Sequence, residues 1–181
     1  RLPKFGYTRG FDKVWFIHGH EGDHYYYSKD PLIHYKAEDF HEDHVIESAN
    51  ETHGEDLIGP LMHETESYLK QRQYWKSEED QSVAQVMKSA VDYLEKVDRN
   101  KPFFLWIDSF DPHEPWDSPS VYDPEMSCPY NPDYEGKDQF LPLMAPVEGV
   151  YTEEELHHVR MLYAENVTIC ATWFGYLMDN V

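Results

Sequence analysis

Basic side chains are scarce in this sequence. Fifteen Lys and Arg stand against 35 Asp and Glu, a formal charge of −20. A surface of that sign repels nucleic-acid phosphates and anionic lipid headgroups alike, which argues against nucleic-acid binding and membrane-surface binding. Long apolar runs are missing too. The longest is Phe103-Phe104-Leu105-Trp106-Ile107, whereas a spanning helix needs about 20 residues. Cysteine is nearly absent, and Cys128 and Cys170 permit one disulfide at most and have no metal-ligand spacing. No charged-then-apolar leader opens the chain, and Arg1-Leu2-Pro3-Lys4 reads as the interior of a longer protein.

What is abundant is aromatic: 14 Tyr, 9 Phe and 5 Trp in 181 residues, too many for a chain that stays disordered. Residues 1–75 hold eight of the eleven histidines without a sustained period, and read as loop-rich with one short helix over 60–74. From Ser77 the pattern sharpens. Val83, Val86, Met87, Ala90, Val91, Leu94 and Val97 recur at helical steps, so a helix is expected over 77–98 with Ser77 as its cap. Asp98-Arg99-Asn100-Lys101-Pro102 breaks it.

The apolar run that follows reads as a strand over 103–109, buried on both faces. Helix, short turn and buried strand together imply an α/β fold, a mostly parallel sheet with flanking helices. Residues 111–151 carry eight of the twelve prolines and are expected to form a long ordered loop. Thr152-Glu153-Glu154-Glu155 is a capping box that opens a final helix over 152–180.

Candidate chemistry gathers where the expected strand runs into Asp111-Pro112-His113-Glu114-Pro115-Trp116. Ligands collect beyond the carboxyl ends of strands in open α/β sheets, and two prolines stiffen the backbone around His113. An imidazole there can bond an anionic oxygen or give a proton to a leaving alkoxide. A loop histidine bonded to a neighbouring carbonyl is the competing reading. Trp116 is a candidate pocket wall, while Trp15, Trp106 and Trp173 are expected as core or loop anchors.

The segment resembles the sulfatase family, in which a strand ends in a Pro-His-x-Pro turn, here Pro112-His113-Glu114-Pro115. Arg9-Gly10-Phe11-Asp12, Glu21-Gly22-Asp23 and Leu162-Tyr163-Ala164-Glu165-Asn166-Val167-Thr168 resemble the arylsulfatase-like branch in order and spacing. The resemblance implies a partial alkaline-phosphatase-like domain and a parent enzyme that hydrolyses sulfate esters of a small molecule or glycan. It implies that His113 contacts the sulfate near the leaving oxygen. It also implies a formylglycine nucleophile, made from a Cys-x-Pro-x-Arg motif, and a calcium ion. Neither cysteine here sits in that motif, and the expected calcium ligands fall outside residues 1–181, so the segment alone is expected to be inactive and prone to self-association. A phosphonate or phosphate ester hydrolase of the same superfamily is an alternative. A second is a metal-binding role for His18-Gly19-His20-Glu21-Gly22-Asp23-His24, since imidazole and carboxylate suit zinc, copper or nickel. His34, His41, His44, His53, His63, His157 and His158 are expected at the solvated surface.

Overall fold

The computed structural model describes residues 6, 8–18, 31, 35–53, 55–119, 123, 125–143 and 147–181. Among them every regular element is helical: α1 (Asp43–His53), α2 (Glu55–Arg72), α3 (Ser82–Lys96) and α4 (Glu153–Asp179), with single 3-10 turns at Ala37–Phe40 and Glu78–Asp80.

Helices α3 and α4 form where their sequences predict helix, α3 over Ser82–Lys96 and α4 over Glu153–Asp179, but of the apolar stripe expected on α4 only Leu177 is buried, and Tyr163 and Val167 are exposed. Val83, Met87, Ala90, Val91 and Leu94 form the buried face of α3. Ser77 does not cap α3. Its amide and that of Lys76 bond the Asp80 carboxylate at 3.3 and 2.8 Å, which closes the 3-10 turn, and α3 starts at Ser82. At α4 the reciprocal box is present: the Glu155 amide donates to Thr152 Oγ1 at 3.2 Å and the Thr152 amide to the Glu155 carboxylate at 2.7 Å. That satisfies two donors which would otherwise lack partners in the first turn.

Two expectations are corrected. Residues 43–72, read as mostly loop, are two successive helices with Pro60 inside α2. Val45, Ala49, Ile58, Leu61, Thr65, Tyr68 and Leu69 are buried at helical spacing, and His, Glu and Gly interspersed among them dilute that stripe in the sequence. The α/β expectation also fails, because the described residues contain no strand and no sheet. Residues 102–110 do run without helix, turn or bend. However, only Leu105 and Ile107 pack inward, against α3 and α4. Phe104 and Trp106 are 72% and 66% exposed, where the reading from sequence buried both faces.

Two apolar clusters share α4. Its first half brings Leu162 to Phe40, Ile58, Leu61, Leu69 and Phe140. Its second half lays Ile169 and Leu177 on the α3 face. The described residues between 111 and 151 belt the first cluster through Trp116, Cys128, Phe140, Leu141, Leu143 and Tyr151, and polar clasps hold the belt. Ser118 Oγ donates to Asp138 Oδ2 at 2.7 Å, and His158 Nε2 lies 2.7 Å from Asp138 Oδ1. Lys137 Nζ donates to the Glu38 and His41 carbonyls at 3.0 and 2.7 Å.

Candidate functional site

The loop carrying His113 is closed on itself. Trp116 Nε1 donates to the Pro112 carbonyl at 3.0 Å, spanning the Pro-His-Glu-Pro turn, and both X-Pro bonds, Asp111-Pro112 and Glu114-Pro115, are cis. The Trp116 amide donates to Phe140 O at 2.7 Å, and its ring meets Tyr163 of α4 edge-on at 5.3 Å. Trp116 thus fastens the turn to the helical core, and Pro115 beside it is buried.

His113 itself is exposed at the tip. Its ring stacks on Phe110 with centroids 4.2 Å apart. Nδ1 lies 2.9 Å from the Glu114 carbonyl oxygen and 3.2 Å from Glu114 Oε2. Both neighbours are acceptors, so Nδ1 carries the hydrogen, and in the neutral ring Nε2 is the basic nitrogen. The carbonyl contact is the one the structural reading of this histidine expects, and it fixes the tautomer as well.

Just beyond Trp116 lies a group the sequence does not announce. Asp117 is buried, with Arg72 Nη1 at 2.7 Å from Oδ1 and the Tyr68 hydroxyl donating to Oδ2 at 2.5 Å. Arg72 is 1% exposed, with its guanidinium over Phe140 at 4.3 Å and Tyr68 at 5.1 Å. None of its three nitrogens has an aligned hydrogen-bond acceptor among the described residues, so the pairing is ionic and cation–π in character. The network ties the last turn of α2 to the residue after Trp116. Its only sequence signal is Tyr68 and Arg72 one helical turn apart.

Two histidines expected at the surface are buried instead. His41 is 1% exposed with Nε2 3.1 Å from Thr65 Oγ1. That hydroxyl donates to Leu61 O at 2.9 Å, so His41 Nε2–H is the donor to Thr65. Burial, then the nearby Lys137 charge, lowers its pKa to about 4. His158 is clasped by Asp138 and stacked on Tyr134 at 3.8 Å. His44, half exposed, pairs with Glu155 at 3.0 Å, while His63 and His157 are exposed. His34 and the side chain of His53 lie outside the described residues.

Both cysteines are free thiols. Burial pushes Cys128 up to about 11 and Cys170 to about 12, so neither is a ready nucleophile. Cys128 faces Glu165 of α4, whose carboxyl is pushed up to about 8 by burial.

Of the histidine-rich stretch only His18 is described, edge-on to Phe16 at 4.4 Å. His20, Glu21, Asp23 and His24 lie outside the described residues. Among the described residues no group of three or more His, Cys, Asp or Glu is arranged to hold a metal ion, and no helix is long and apolar enough to cross a membrane. No protein-family model, curated protein or solved structure matches the chain. The sulfatase resemblance therefore stands on its motif residues.

Proposed function

We propose that this chain is part of a sulfate ester hydrolase acting on a sulfated small molecule or glycan, in which His113 contacts a sulfate oxygen and protonates the leaving oxygen. The observation that carries this reading is the Pro112-His113-Glu114-Pro115 turn itself, with His113 exposed at its tip on a loop closed by Trp116; the Nδ1 contact with the Glu114 carbonyl fits a loop histidine equally well. A ring fixed at Nδ1 presents its exchangeable chemistry at Nε2. The neutral ring accepts there, whereas the imidazolium donates to an anionic oxygen and passes its proton to an alkoxide. Orientation of this kind matters because small misplacements of a proton donor cost rate steeply.

The residues described do not fit the family's other two requirements. Cys128 is buried against Glu165, and Cys170 lies within α4. Neither belongs to a Cys-x-Pro-x-Arg motif, and no described cluster suits calcium. No step of the chemistry is therefore assigned to either group. The turn is also rich in carboxylates, with Asp108, Asp111 and Glu114 flanking His113, so the positive charge that holds a sulfate must come from elsewhere in the protein.

The test is His113→Ala in the longest natural chain that carries this segment, assayed on an aryl sulfate. Loss of kcat by about 100-fold or more is expected. Undiminished turnover would refute the role of His113, and a higher kcat/KM on the matching aryl phosphate would refute the choice of sulfate.

A further inference from the structure

Residues 125–138 contain no helix or strand and lie as a strap against one face of α4. Three contacts dock the strap. The Tyr130 and Thr168 hydroxyls share a hydrogen bond of 2.6 Å. Asn131 Nδ2 donates to His158 Nδ1 at 3.2 Å, and the Tyr134 ring stacks on the same imidazole. The third contact is Cys128, the one buried residue between 125 and 138. Its thiol faces Glu165, which is buried as well and whose Oε2 has no hydrogen-bond partner among the described residues. His158, Glu165 and Thr168 fall at helical intervals on α4, so one face takes all three contacts.

A segment with a single buried side chain and no regular hydrogen-bonded structure is of the kind that opens while the rest of a fold stays closed. Here the anchoring side chain sits against a carboxyl whose charge the site does not accommodate. The charged groups acting on Glu165 are Asp138 of the strap, Asp117 of the turn before it and Glu78 ahead of α3, all acidic. On α4 itself His158 is engaged with Asp138, and from α2 Arg72 and Tyr68 are engaged with Asp117. An ionised Glu165 would stand unpaired and dry, and lifting the strap is the shortest way to hydrate it.

We propose that residues 125–138 are a proton-operated latch: protonated Glu165 keeps Cys128 docked on α4, and loss of that proton lifts the strap and opens the Cys128 thiol to solvent. Proton linkage sets the direction. Burial pushes the docked carboxyl from 4.5 up to about 8, so the lifted state gains about tenfold per pH unit between those values and levels off above them. The latch is a local opening, distinct from unfolding of the whole chain, and it is independent of the proposed chemistry at His113.

The experiment is N-ethylmaleimide labelling of Cys128 in the intact chain from pH 5.5 to pH 7.5, located by mass spectrometry. Each rate is divided by that of an unstructured peptide with the sequence of residues 124–132, and far-UV circular dichroism checks the fold of each variant. The normalised rate is expected to rise about 100-fold across that range in wild type and to stay level in Glu165→Gln. It should change less than about twofold in about 1 M urea, where exposure through global unfolding would rise about tenfold. Tyr130→Phe, which removes only the bond to Thr168, is expected to raise the rate about threefold at every pH. A wild-type rate that ignores pH overturns the proposal, as does an equal rise in Glu165→Gln. Acceleration of about tenfold by urea, or a Tyr130→Phe rate equal to wild type, overturns it as well.

Discussion

Glu165 should make this protein less stable as the pH rises, and replacing it should remove that weakness. The side chain projects from α4 at 4% exposure beside Cys128, and its Oε2 has no hydrogen-bond partner among the described residues. Burial raises its pKa from 4.5 to about 8. Between those values the native state holds a proton that the unfolded chain has released, so stability falls as pH rises through that window. Each unit of displacement is worth about 1.36 kcal/mol, so from pH 4.5 to pH 7 the carboxyl costs about 3 kcal/mol.

Glu165→Gln keeps the shape and the acceptor oxygen facing Cys128 while removing the proton uptake. The variant is expected to exceed wild type by about 2 to 3 kcal/mol at pH 7 and to match it near pH 4.5. Urea unfolding followed by tryptophan fluorescence, at half-unit steps from pH 4.5 to pH 8, measures both curves. Parallel curves across that range would refute the assignment of a neutral buried carboxyl at Glu165.

His41 acts at the acid end. Its pKa is lowered from 6.5 to about 4, so the unfolded chain takes up a proton before the native state does, and stability is lost as pH falls from 6.5 toward 4. The loss is about 3 kcal/mol. His41→Gln, which can still donate to Thr65, should flatten that limb in the same urea series. Arg72→Met leaves Asp117 buried without its cation and should cost about 3 to 5 kcal/mol. Adding Asp117→Asn should recover part of it, and additive losses in a double-mutant cycle would show the pair to be uncoupled.

The helices that were legible from sequence carry their own punctuation. Thr152 and Glu155 announce the start of α4 three residues apart, and the α3 stripe has few polar interruptions. In α1 and α2 the buried positions alternate with Glu, His and Gly, and what makes them a core is Phe140 and Leu162, far along the chain. The run at 103–107 was misread for a related reason. Five apolar residues in a row look alike whether a sheet covers both faces or a helix pair covers one, and only the neighbours decide. His41 and His158 owe their burial to Thr65 and Asp138, partners 24 and 20 residues away, which residue type alone does not reveal. At the candidate site, His113 and the turn around it were readable from the two prolines. The sequence offers Trp116 only as a candidate pocket wall, and neither its fastening of the turn to Phe140 and Tyr163 nor the Arg72–Asp117–Tyr68 tie beneath is legible there.

The most direct test of the sulfatase reading is the coding DNA that flanks this segment. The account predicts an in-frame Cys-x-Pro-x-Arg motif upstream of Arg1 and an Asp-Asn or Asp-His metal pair downstream of Val181. A start codon immediately before Arg1 together with a stop immediately after Val181 would contradict it.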